Sequence, residues 1–265
     1  MMLKRVTSAL VVLPLLFYLL YFAPAWALPC ALAALSAIAA YELLHGTGLV
    51  KNKLFLWLAV VLAMAMSLGL TYYHWAFFCM FLSLPALFVL ALKSGGTVKF
   101  TDITVAIFAI YIIPFMFFLI TEIFNSSDGI PFIILPFIAA FGTDTCAQLT
   151  GMAFGRHKLA PRVSPNKTVE GYIGGIIGCA ALFMIYVPIA VAIWGVKLDY
   201  IPMAVIALGG SVAAQFGDLC FSYIKREFGI KDFGKIMPGH GGILDRFDSL
   251  LFAAPFMYFF VLWFL

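Results

Sequence analysis

Asp144 and Asp218 stand inside apolar runs, FGTDTCAQLTG and GGSVAAQFGDLCFS. A carboxylate facing lipid is costly, so each is expected to face the interior of a helix bundle beside a partner. Ser211, Gln215, Asp218 and Ser222 follow one another at intervals of four, three and four, which puts them on one stripe of a helix. Asp144, Gln148 and Gly151 do the same on the earlier run. The bland alternative is a hydrogen bond that only ties two helices together. The number of polar neighbours on each stripe argues for a lined pocket instead.

The densest chemistry lies between Ser222 and Ser249, SYIKREFGIKDFGKIMPGHGGILDRFDS, which holds nine of the 28 charged residues (16 basic and 12 acidic). Asp245 and Asp248 are spaced i, i+3 and share a helix face if the last helix begins there. With Asp218 they could gather around Mg²⁺, which prefers carboxylates, phosphate oxygens and water. Gly239, Gly241 and Gly242 let backbone approach a phosphate closely. His240 could donate to an oxyanion; its bland alternative is a solvated loop residue. Lys225, Arg226 and Arg246 are suited to clamp phosphates. A second loop, GRHKLAPRVSPNKTVEG from Gly155 to Gly171, offers Ser164, Lys167 and Thr168 in a turn leading into a helix. Hydroxyls, amide N–H groups and a cation at a helix N-terminus favour phosphate. A lysine is electrostatically misplaced there unless an anion is present. Lys167→Met is therefore expected to leave apo stability unchanged or slightly higher. The spacing of a Walker A loop is absent.

The elements that must position these residues are membrane helices. The chain is 65% hydrophobic with a mean hydropathy of +1.09, too apolar for a soluble fold of this length. A span of the hydrocarbon core takes about 20 apolar residues. About nine such runs are present, over 6–22, 26–44, 54–70, 75–92, 103–120, 131–153, 172–194, 201–223 and 249–265. They do not alternate as barrel strands would, so they are helices. The expected fold is an all-α integral membrane protein, a polytopic bundle of about nine transmembrane helices with two polar cytoplasmic loops. The first run, after Lys4 and Arg5, is taken as a membrane helix in preference to a signal peptide. With the N-terminus inside, every lysine and arginine except Lys197 falls on the cytoplasmic side. The net charge of +4 then faces an anionic membrane surface or substrate. The five cysteines form no Cys-x-x-Cys pair and read as small packing residues. Residues 1–128 read as scaffold helices and 129–265 as the catalytic region. Glu42 and Glu122, near helix ends, read as acids solvated at the interface.

The run Ser222-Tyr223-Ile224-Lys225-Arg226, Lys231-Asp232, Pro238-Gly239-His240-Gly241-Gly242 and Asp245-Arg246-Phe247-Asp248 resembles the motif of the phosphatidate cytidylyltransferases, or CDP-diacylglycerol synthases. The upstream KLAPRVSPNKTVEG resembles the same family's loop, so the likeness covers the second half of the chain. Met237, Asn166, Val169, Gln148 and Phe141 depart from the family's usual residues, and the charged positions do not. The resemblance implies that CTP and phosphatidate give CDP-diacylglycerol and pyrophosphate. It implies catalytic roles for Asp218, Asp245, Asp248, Lys225, Arg226 and His240. It implies substrate binding by Asp144, Ser164, Lys167, Thr168, Ser222, Gly241, Gly242 and Arg246. Mg²⁺ would be held by Asp218 and Asp245, with a second cation as an option. A homodimer in a bacterial cytoplasmic membrane, its site facing the cytoplasm, completes these expectations; no nucleic-acid partner is expected. Two alternatives remain open on the residues alone, a CTP-dependent lipid kinase and a membrane transporter. One-sided charge and the lack of an inverted repeat argue against the transporter.

Overall fold

A computed structural model of the chain describes residues 18–236 and 241–264. Among these residues, eight helices are long and apolar enough to cross a membrane. They are α1 (Ala27–Gly46), α2 (Lys53–Thr71), α3 (His74–Lys93), α4 (Phe100–Asn125), α5 (Gly129–Phe154), α6 (Val169–Trp194), α7 (Tyr200–Glu227) and α8 (Leu244–Phe264). Each coincides with a run expected from hydropathy. The chain is an all-α polytopic membrane protein, as the composition requires. The run at 6–22 lies almost wholly outside the described residues, and so does His240.

Local chemistry sets the helix ends. Asn52 caps α2 by accepting the Phe55 N–H at 3.1 Å, and Thr168 caps α6 by accepting the Gly171 N–H at 3.1 Å. Gly195, in the left-handed region at φ 70°, closes α6. Lys225 and Arg226 complete the last turn of α7, where cations suit the helix dipole. Two helices carry a π-helical turn, Phe108–Ile112 in α4 and Ile138–Gly142 in α5. The second ends one residue before Thr143-Asp144. It shifts the helical register just ahead of Asp144.

The first long loop departs from expectation. Ser164-Pro165-Asn166 is not a turn but part of a strand, β2 (Ser164–Thr168), paired antiparallel with β1 (Lys158–Ala160). The hairpin has one register irregularity between Lys158 and Ala160. Pro165 is tolerated because a two-stranded ribbon has only edges.

The chain forms two compact units. One takes in the chain up to Thr121 together with Phe228–Arg246; the other takes in Glu122–Glu227 and Phe247–Leu265. The division runs through the first turn of α8. The charged segment after α7 therefore groups with the early helices, not with the rest of the second half. In the second unit, α5 packs on a glycine face of α6. A methyl group at Gly174 would fall inside the Thr150 side chain, and one at Gly178 would lie 2.5 Å from the Cys146 β-carbon. Close approach through small residues is how membrane helices gain contact when lipid already satisfies their apolar surface. In the first unit, Glu42 is not solvated. It is 2% exposed and bonded to backbone, which corrects the interfacial reading of this acid.

Candidate active site

The second unit contains a cavity of about 440 Å³. Asp144, Gln148 and Gly151 of α5, Asn166, Lys167 and Thr168 of β2, Tyr172 of α6, and Gln215 and Asp218 of α7 contribute to its lining. Both polar stripes legible in the sequence thus open onto one space. The stripe on α7 is the buried side of that helix: Ser211, Gln215 and Ser222 are all buried. Gln215 donates to the Tyr172 carbonyl at 3.2 Å, which ties α7 to α6 in the cavity wall.

Lys167 and Asp218 meet in this wall. Lys167 Nζ lies 2.5 Å from Asp218 Oδ2, with both side chains about a quarter exposed. Ser222 Oγ donates to the other oxygen, Oδ1, at 3.2 Å. The hairpin carries Lys167 to the acid, and Arg226 steadies the hairpin by donating from Nε to the Val163 carbonyl at 3.1 Å. Asp248 and Lys225 lie deeper, 5% and 8% exposed, with Lys225 Nζ 4.0 Å from Asp248 Oδ2. Asp248 is within electrostatic reach of Asp218 and Asp144 as well. Asp144 Oδ2 accepts from Ser249 Oγ at 3.1 Å. The cluster therefore holds three carboxylates and two ammonium groups. It carries one negative charge in excess, in a place where uncompensated charge is costly.

A lysine at the entrance to a helix calls for an anion. The protein supplies one itself in Asp218. Thr168 spends its hydroxyl on capping α6 and also lines the cavity. Ser164 stands on β2 opposite Ala160 and does not line the cavity. In the first unit, Asp245 is 9% exposed, and its Oδ2 accepts the N–H groups of Phe233 at 2.8 Å and Gly242 at 2.9 Å. The Gly242 N–H, expected to face a phosphate, is thus given to Asp245. Gly241 has φ 82°, a conformation that glycine adopts without strain. Arg246 is exposed.

Sequence reasoning missed Ser249 and Glu42. Ser249 follows Asp248 directly, and only the fold shows that its hydroxyl meets Asp144. Glu42 carries the same signal that exposed Asp144 and Asp218, an acid in an apolar run. Its place near a helix end disguised that signal.

Among the described residues, no three acidic, histidine or cysteine side chains converge closely enough to hold a metal by themselves. Mg²⁺ does not require that. It is commonly held by one or two carboxylates, with phosphates and water completing the shell. The donor set here is hard oxygen throughout, and it fits.

The Cytidylyltransferase family model matches residues 3–264. The chain belongs to that family. Among curated relatives, it is 41% identical to a phosphatidate cytidylyltransferase of Bacillus subtilis over 165 residues, which cover 62% of this chain and 60% of the relative. It is 45% identical to one of Staphylococcus aureus over 149 residues, covering 55% and 53%. It is 44% identical to one of Staphylococcus saprophyticus over 135 residues, covering 49% of each. The matched stretches span about half to three-fifths of those relatives' length.

Proposed function

We propose that this protein transfers a cytidylyl group from CTP to phosphatidate, forming CDP-diacylglycerol and releasing pyrophosphate. The observation that carries the reading is the Lys167–Asp218 pair in the wall of a polar cavity, in a chain of the Cytidylyltransferase family. The named relatives support the choice of lipid substrate.

The phosphate monoester of the lipid attacks the α-phosphorus of CTP, and the bond to the β-phosphate oxygen breaks. Both reactants are anions, so the protein's work is to align them and to offset charge. Lys167 and Lys225 supply the cations within the cluster, and Arg226 and Arg246 add phosphate clamps from the polar segments. The site's own excess of carboxylate would repel a triphosphate. That is the physical reason for a divalent cation, proposed as Mg²⁺ on Asp218. When bound, it would neutralise phosphate charge and ease departure of pyrophosphate. Asp218 would hold that cation, and Lys167 would bind phosphate. Asp144, Ser222 and Thr168 complete the polar wall. Asp245 remains the proposed second ligand, and a further cation stays optional. His240, Gly241 and Gly242 are proposed to contact phosphate or to shape the turn that does.

CTP reaches the site from the cytoplasm, and phosphatidate enters laterally with its tails in the lipid of a bacterial inner membrane. The charge asymmetry of the loops supports this orientation. Helix α3 has the least buried apolar face of the eight, which suits lipid or a second copy of the chain in a homodimer. Purified protein given phosphatidate and Mg²⁺ should place label from α-labelled CTP into lipid and none from γ-labelled CTP. Label from the γ position in lipid would establish a kinase instead.

A further inference from the structure

Glu42 is the single acid of α1, and the transfer chemistry above makes no use of it. It is buried in a helix otherwise composed of apolar and small residues, apart from Tyr41 and His45 beside it. Its Oε1 accepts the N–H of Ile243 at 3.0 Å, and its Oε2 accepts the N–H of Leu244 at 2.8 Å. Those N–H groups open α8, where the donors have no partner within the helix. The helix dipole favours a carboxylate at that end. A distant glutamate thus does the work of a local cap. Two glycines make room for it. A β-carbon at Gly234 would lie 2.3 Å from Oε1, and one at Gly242 would lie 2.3 Å from Oε2.

The next residue along is Asp245, whose Oδ2 receives the Phe233 and Gly242 N–H groups. Two carboxylates therefore hold one turn. Glu42 holds residues 243 and 244, and Asp245 holds 233 and 242. Two donors call for two acceptor oxygens, and a glutamine offers one oxygen and an NH₂ group in place of the other.

We propose that Glu42 is a positioning residue of the reaction: it fixes the 242–244 backbone and so sets the orientation in which Asp245 is presented at the start of α8. This rests on the cytidylyl-transfer reading for Asp245. Glu42 acts through that residue and touches no substrate. Partners that orient a ligating carboxylate are worth about 10- to 100-fold in activity or metal affinity when lost.

The test uses the full chain in lipid-supplemented detergent, as wild type, Glu42→Gln and Gly234→Ala. The alanine leaves the carboxylate's charge and crowds its seat. Four quantities are read: hydrogen exchange of the peptide covering 241–246, thermal stability, kcat and KM for CTP, and the Mg²⁺ concentration for half-maximal rate. Glu42→Gln should exchange faster in that peptide, lose about 10- to 100-fold in kcat per folded molecule, need more Mg²⁺, and keep KM for CTP nearly unchanged. Gly234→Ala should move the same readouts in the same direction by less, and it carries the decision if Glu42→Gln does not fold. Faster exchange or earlier melting with wild-type kcat and Mg²⁺ dependence would make Glu42 structural only and overturn the proposal, as would unchanged exchange. A wild-type protein that transfers no label from α-labelled CTP refutes the transfer reading instead, and the exchange data then still report whether the clamp exists.

Discussion

A lysine and a carboxylate 2.5 Å apart hold each other in place. That pairing reverses one sequence-based expectation. Removing Lys167 no longer relieves a misplaced cation; it strands Asp218 beside Asp248 and Asp144. Lys167→Met should lower apo thermal stability by about 1–2 kcal/mol, since both partners are only partly buried. It should also raise KM for CTP or lower kcat. The double variant with Asp218→Asn should cost less stability than the two singles added, because each removes the same pair. Additive costs would show that the pair is not coupled. Asp245→Asn should remain folded, because one amide oxygen can still accept from both Phe233 and Gly242, yet it should lose activity with the charge. An active Asp245→Asn would remove that residue from metal binding. Asp144 and Asp218 were legible in the sequence because a charge in an apolar run has few innocent explanations. Glu42 carried the same mark, but its partners are backbone groups in a distant segment, and no side-chain pattern announces those.

At the level of elements, the glycine face of α6 sets how closely α5 approaches. Gly174→Ala places a methyl group against Thr150 and should cost about 1–3 kcal/mol of stability by overpacking. Ile177→Ala, on the exposed side of the same helix, should cost much less in the same thermal assay. Equal costs would mean the α5–α6 contact does not govern stability. The helices were legible from hydropathy because lipid leaves the backbone no alternative. The hairpin was not. Its strands are three and five residues long, rich in lysine, serine and asparagine, with no alternation of apolar residues to read. The π-helical turn ahead of Asp144 also leaves no trace in composition, although it decides where that acid points.

For the whole molecule, the chain up to Thr121 and the charged segment Phe228–Arg246 belong to one compact unit. The early helices hold the segment that carries Asp245, through Glu42. Charge distribution, in contrast, is a property of the entire chain and is readable without the fold. Single cysteines placed in the 156–168 hairpin or the 228–236 segment of a cysteine-free variant should resist a membrane-impermeant thiol reagent in intact cells and react in inverted vesicles. Labelling from outside would overturn the cytoplasmic route for CTP. The cavity containing Asp218 is proposed as the place where CTP meets phosphatidate. It is tested most directly by the rate at which α-labelled CTP enters lipid, compared between wild type and Asp218→Asn at equal amounts of folded protein and ordinary Mg²⁺. Wild type should yield CDP-diacylglycerol and matching pyrophosphate, and the variant only background label. Near wild-type turnover by Asp218→Asn would contradict it.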